Sequence, residues 1–184
     1  MKKLSIIGSG VLLAGVSSWA ATAPAIWFQW SSGVGGNDHW YGVSQDADTW
    51  QAMNNLAVGL GYNLASLGDS NEENFVSNLV PEQNAWIGYN DILVEASFVW
   101  SDGSPVTYFN WAAGEPNDAG GEDATVINWS GVSWNDLPHD GSRVQAIFES
   151  VNNPAEVPES SHAAAVGGLA ILGFGIWRPR RSRA

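Results

Sequence analysis

The sequence predicts an α+β domain, and three observations carry that reading. Two segments show apolar residues at helical spacing behind capping signatures. A series of short β-prone stretches follows, separated by Gly, Asn and Asp. Helices followed by a run of strands is an α+β order, and a chain of 184 residues has room for one such core plus processing segments.

Taken from the start, Lys2 and Lys3 precede an apolar run from Leu4 to Val16 and a small-residue exit at Ser18-Trp19-Ala20. This is the three-part pattern of a signal peptide, residues 1–20, cut after Ala20. A cut after Ala23 also matches the Ala-x-Ala rule but leaves Pro24 after the scissile bond, and an uncleaved membrane helix is disfavoured by the short core. Asp48 with Gln51 forms a capping box ahead of Trp50, Met53, Ala57 and Leu60, which predicts a helix over 48–59. Ser70 with Glu73 repeats the signature ahead of Phe75, Val76, Leu79 and Val80, and Pro81 ends a second helix over 71–80. Strands are expected at Ala85–Tyr89, Phe98–Trp100, Ala124–Trp129 and Val144–Phe148. The domain therefore spans 21–151, and the Pro-, Glu- and Ser-containing stretch 152–161 reads as a linker.

The last segment, 162–184, is apolar from Ala163 to Trp177 and ends Arg-Pro-Arg-Arg-Ser-Arg-Ala. It falls short of the roughly 20 residues that span a bilayer comfortably, and its basic end favours the cytoplasmic side, so it can pause a chain during export. This tail resembles the PEP-CTERM sorting signal of exopolysaccharide-producing Gram-negative bacteria, although Ser160 stands where that signal usually repeats Pro. The resemblance implies a sorting transpeptidase of the exosortase type as a partner, transient membrane anchoring, and a cell-surface, outer-membrane or matrix location. A plain C-terminal anchor is the alternative.

Charge narrows the partners. Of seven basic residues only Arg143 lies between the two ends, whereas all 19 carboxylates fall between Asp38 and Glu159. Such a surface repels phosphate backbones and anionic lipid, which excludes nucleic acid as a partner. The carboxylates serve either solubility or hard-cation binding. With no Cys and no second His at ligand spacing near His39 or His139, zinc is not expected. No Gly-x-Ser-x-Gly or His-Glu-x-x-His pattern marks an enzyme. A carboxylate pair of the glycosidase kind is the remaining catalytic option, and calcium explains the acids better.

Thr49-Trp50, Asn63-Leu64-Ala65-Ser66-Leu67, Glu72-Glu73-Asn74, Trp86-Ile87-Gly88-Tyr89, Glu115-Pro116-Asn117, Gly121-Glu122-Asp123 and Trp134-Asn135-Asp136 follow one another in that order. In order and spacing they resemble a C-type lectin domain over about residues 26–150. The resemblance implies a C-type lectin-like fold: two helices flanking short antiparallel sheets, with a long calcium-binding loop region. It also implies a departure, because the family's two disulfides would fall at Ala57 with Phe148 and at Ala124 with His139. A lost disulfide typically costs about 2–5 kcal/mol, which apolar contact and the 11 tryptophans would offset in part.

Calcium takes about six to eight oxygens from carboxylates, amide carbonyls and water. Glu115, Asn117, Glu122, Asn135 and Asp136 offer that chemistry, and in the family these positions bind both ion and sugar. Xaa-Pro is the common cis peptide, and a cis Glu115–Pro116 bond would point the flanking side chains at one ion. Two vicinal sugar hydroxyls would complete the coordination, one bracketed by Glu115 and Asn117 and the other by Glu122 and Asn135 as acceptor and donor. The Glu-Pro-Asn order implies mannose, fucose, glucose or N-acetylglucosamine groups. Asp91, Glu95, Asp118 and Asp123 match the ligands of an auxiliary calcium. The expected function is calcium-dependent carbohydrate binding without catalysis. The alternative is an adhesion module of the same fold in which calcium only orders loops. Trp86, Trp100, Trp111, Trp129 and Trp134 are expected mostly in the core, with room for one exposed ring beside the sugar.

Overall fold

The computed structural model describes residues 21–81 and 83–156. The expected leader and the tail from Val157 onward lie outside the described residues. Strands β1 (Phe28–Gln29) and β2 (Trp40–Val43) precede helix α1 (Trp50–Gly59), strand β3 (Asn63–Leu64) and helix α2 (Ser70–Ser77). Then come β4 (Ala85–Asn90), β5 (Val99–Trp100), β6 (Ala124–Ile127), β7 (Asn135–Leu137) and β8 (Gln145–Ser150). The α+β class holds.

Both helices start later or stop earlier than their periodicity implies. Thr49 caps α1, its hydroxyl accepting from Ala52 N at 3.2 Å. Asp48 instead accepts from Thr49 N and pairs with Arg143 at 2.8 Å, so the expected cap is an ion-pair partner. Asp69 caps α2 by accepting from the N–H groups of Asn71 and Glu72, which displaces Ser70 into the helix. The helix ends at Ser77, and Leu79 and Val80 continue in tighter turns whose N–H groups donate to Val76 and Ser77 carbonyls. Propensity located these helices, and at α1 the cap fell to Thr49 because Asp48 is taken up by Arg143.

The sheet runs β1-β2-β8-β4-β6-β7, with β3 also beside β8 and β5 beside β4. β8 joins the two ends of the domain. Gln145 and Ala146 pair in parallel with Ala85 and Trp86, and Ile147 to Ser150 pair antiparallel with β2, while Glu149 and Phe148 also face β3. The chain before the helices therefore closes on the last strand. Gly42 permits this, because a Cβ there would sit 2.6 Å from the Pro24 ring and 2.8 Å from Ile26 O.

Two apolar clusters fill the interior. One lies under α1 and holds Trp50, Met53, Trp86, Ala124, Val126 and Phe148; the other lies toward α2 and holds Tyr41, Val76, Ile87, Trp100 and Trp134. Ala57 and Phe148 are fully buried in the first cluster, so apolar contact stands where the family's outer disulfide would be. At the inner position His139 Nδ1 lies 2.7 Å from Asp123 Oδ2, beside Ala124. Trp86, Trp100 and Trp134 are core and Trp111 is half-buried, whereas Trp129, between β6 and β7, is exposed.

Candidate ion and ligand site

Between Asp91 and Asp123 the only regular element is the two-residue β5, and the segment after it is stitched onto β7. Trp111 bridges Trp134, Trp134 N donates to Asn110 O at 2.8 Å, and Ala112 N donates to Trp134 O at 2.9 Å. Glu115 N then donates to Ala112 O at 3.0 Å, and the Glu115–Pro116 peptide is cis. Positive φ at Gly114, Asp118, Gly120 and Gly121 turns the chain back on itself.

Asp136 holds this turn from the strand side. Fully buried on β7, its carboxylate accepts from Asn117 N at 3.2 Å and Asp118 N at 2.9 Å. Asp118 Oδ1 accepts from Glu122 N at 2.8 Å, and Glu122 Oε2 accepts from Ala119 N at 3.1 Å. Asn117 Nδ2 donates to Glu115 Oε2. Glu115, Asn117, Glu122 and Asp136, distant in sequence, are thus gathered at one end of β7 beside Asn135.

The gathering costs electrostatic energy. Desolvation raises the Glu115 carboxyl above its ordinary value, with the Asp136 charge adding to it. Burial raises Glu122 as well, and Asp136, Glu115 and Asp118 push the same way against the Ala119 N–H. Asn135 is 3% exposed; its Nδ2 donates to Asp136 O at 2.6 Å, and its Oδ1 is buried with no donor. Buried polar atoms are nearly always paired, and an unpaired one costs about 1–3 kcal/mol. Three mutually repelling carboxylates have the chemistry that suits a hard cation, and so does an unsatisfied amide oxygen on the residue next to one of them. Among the described residues no three His, Cys, Asp or Glu side chains close a metal cage by themselves.

The four auxiliary positions divide. Asp91 is 2% exposed, its Oδ2 accepts from Ala96 N at 2.8 Å and its Oδ1 is unpaired. Burial, with Glu95 and Asp123 charges adding, pushes its carboxyl up to about 6. Asp91 N donates to Asp123 O at 3.0 Å. Asp118 interacts instead with Asp136 and Glu122, and Asp123 is engaged by His139.

Two buried groups enter the sequence reading only through a capping signature and the Glu72-Glu73-Asn74 motif, with no role beyond the helix start. Glu73, 2% exposed, accepts from Tyr108, Asn110 and Trp134. Glu72 accepts from Tyr41, from Asn37 Nδ2 at 2.9 Å and from Gly68 N at 2.7 Å. The signal available was two adjacent acids at the start of a helix, and capping explained only the local part of it.

Two helices, a mixed sheet and a long loop segment folded back onto β7 define a domain of the C-type lectin-like fold. The Lectin C-type domain family matches residues 38–144, and the chain belongs to that family. Ladderlectin of Oncorhynchus mykiss is 36% identical over 121 residues, covering 62% of this chain and 60% of that protein. The mannose-binding protein of Gallus gallus is 39% identical over 95 residues, covering 51% of this chain and 37% of that protein. The chain thus spans less than two thirds of the length of these relatives. The cow CD23 carbohydrate-recognition domain, solved in the presence of GlcNAc2Man3 oligosaccharide, aligns with a TM-score of 0.62 at 28% identity over 72% of this chain and 98% of that one. A calcium-independent type II antifreeze protein aligns with a TM-score of 0.61 at 25% identity over 71% of this chain and 95% of that one.

Proposed function

We propose that this domain binds carbohydrate through a calcium ion held by Glu115, Asn117, Glu122, Asn135 and Asp136. The observations that carry the reading are the mutual repulsion of the Glu115, Glu122 and Asp136 carboxylates and, at the residue next to Asp136, an Asn135 Oδ1 that is buried without a donor. A cation answers both needs at once. Bound calcium would supply coordination sites for two vicinal hydroxyls, while the Glu and Asn side chains accept and donate hydrogen bonds to those hydroxyls. The Glu-Pro-Asn order favours mannose, fucose, glucose or N-acetylglucosamine groups. Asp91, Glu95 and Asp123, with Asp118 at the margin, would hold an auxiliary ion; the unpaired Asp91 Oδ1 supports that role for Asp91.

The protein acts outside the cytoplasm, exported by residues 1–20 and carried to a Gram-negative cell surface or matrix by its C-terminal segment through an exosortase-type transpeptidase. The similarity to a calcium-independent antifreeze protein favours a second reading, in which the same fold serves adhesion without sugar. Glycan-array binding with and without chelator separates them. Binding that needs calcium and is competed by soluble mannose supports the first reading, and adhesion that soluble sugar does not compete, with calcium serving only to order loops, supports the second.

A further inference from the structure

Glu73 is a side chain that neither the cap of its helix nor the ion site accounts for. It projects from α2 into the core, 2% exposed, where the Tyr108, Asn110 and Trp134 side chains donate to it. Oε1 accepts from the Trp134 indole N–H and, at 3.1 Å, from Asn110 Nδ2. Oε2 accepts from the Tyr108 hydroxyl at 2.6 Å and from Asn110 Nδ2 at 2.9 Å. A carboxylate offers about four acceptor sites and no donor, so Glu73 is matched to this ring of N–H and O–H groups in a way an amide is not.

The groups it holds are the two strips of backbone that form the ion site. Tyr108 and Asn110 begin the segment that runs through Trp111 and Ala112 to Glu115, and Trp134 directly precedes Asn135 and Asp136. The strips are also joined to each other, Trp134 N to Asn110 O and Ala112 N to Trp134 O. Trp134 packs edge-on against Tyr108, Trp111, Trp100 and Tyr89, with ring centroids 5.6–6.0 Å apart. One buried carboxylate therefore sets the position of both strips relative to α2.

We infer that Glu73 is a positioning residue for ion binding: by holding Trp134 and the Tyr108–Asn110 segment together, it sets the spacing between Glu115 on one strip and Asn135 and Asp136 on the other. The inference rests on the ion reading above. Groups that orient metal ligands from behind typically change metal affinity by about 10- to 100-fold when altered. Loss of Glu73 lowers calcium affinity by about that factor.

The test uses the full chain and two variants, Glu73→Gln and Tyr108→Phe. Calcium affinity is measured by titration calorimetry, and Tb3+ is used as a probe whose emission is excited through nearby tryptophan. Circular dichroism in chelator establishes that each variant is folded. The expected result is folded Glu73→Gln with calcium affinity lowered about tenfold or more and weakened Trp-sensitised Tb3+ emission, and Tyr108→Phe with a smaller loss in the same direction. Wild-type affinity in a folded Glu73→Gln overturns the inference and leaves the ion reading intact. Should Glu73→Gln not fold, Tyr108→Phe decides: weakened affinity supports the inference and unchanged affinity overturns it. A wild-type chain that binds neither ion removes the ion reading and this inference with it.

Discussion

His39 Nδ1 lies 2.6 Å from Glu149 Oε1, joining the start of the domain to its last strand. Glu149 also accepts from Ser66 N at 2.8 Å and from the Tyr41 hydroxyl at 3.3 Å, so one buried carboxylate draws together the chain before β2, the segment after β3, and β8. The hydrogen bond to Glu149 raises the imidazole above its ordinary value against a partial desolvation penalty, and the Glu149, Glu72 and Asp102 charges add to it.

A group whose folded value is raised contributes stability that is complete below its unfolded value and is lost as pH rises through the folded one. His39 therefore favours the folded state below its ordinary value of 6.5, and that contribution fades on the alkaline side. In chelator, thermal stability should fall from about pH 6 to about pH 8 by a few degrees at most. Asp91, raised to about 6, slopes the same way, so the informative quantity is the difference between wild type and His39→Gln. The variant should show a shallower fall, and identical slopes would remove His39 as the cause.

Calcium and protons should compete. Glu115 and Glu122 are raised and Asp91 reaches about 6, all by desolvation first, so each holds a proton more readily than an ordinary carboxylate. Calcium binding should weaken from about pH 7 to about pH 5 and release protons as it occurs, from a dissociation constant of about 10⁻⁴ to 10⁻³ M at neutral pH, the range of extracellular modules. Binding to the folded state alone should raise the melting temperature. Calorimetry in buffers of different ionisation enthalpy measures the protons released; a pH-independent affinity contradicts the assignment of these carboxylates.

Sugar preference should follow the hydrogen-bond polarity of Glu115 and Asn117. Glu115→Gln with Asn117→Asp keeps one carboxylate and one amide in the turn while exchanging acceptor and donor. Calcium should still bind, and preference should move from mannose-like toward galactose-like sugars by about tenfold, the value of an unpaired buried polar group. Single-site binding is weak, so a multivalent glycan array is the suitable measurement. An unchanged profile with calcium bound would place recognition elsewhere on the surface.

Processing is expected to leave a chain that begins at Ala21. Gln45 N donates to Thr22 O at 3.2 Å, Gln45 Nε2 donates to Ala23 O at 3.0 Å, and Ala21 packs against the cluster under α1. A cut after Ala23 would remove all three contacts. Intact mass of the surface fraction should show Ala21 at the start and no Arg-rich end, whereas the full-length chain recovered from the cytosol would contradict the export reading.

Local pattern alone located both helices, the strand at Trp86 and the class of the fold, because helical and strand periods are properties of neighbouring residues, but it set each cap one residue off, at Asp48 and Ser70 where Thr49 and Asp69 serve. Motif order, read through family resemblance, picked out the five residues proposed here for an ion site, and the cis peptide at Pro116 agrees with what Xaa-Pro chemistry allows. Nothing local announced β1, β2 or β3, two to four residues each: β2 and β3 find their partner in β8, far along the chain, and β1 pairs with β2. Nor could spacing show that Asp118 sits with Asp136 while Asp123 meets His139, since each choice depends on how a turn with positive φ folds onto β7. Glu73 is the clearest case. Its place in the sequence is a capping position, and its three donors lie 35 to 61 residues away. Only the packed core brings them together, because a buried carboxylate must find its donors wherever the fold has put them.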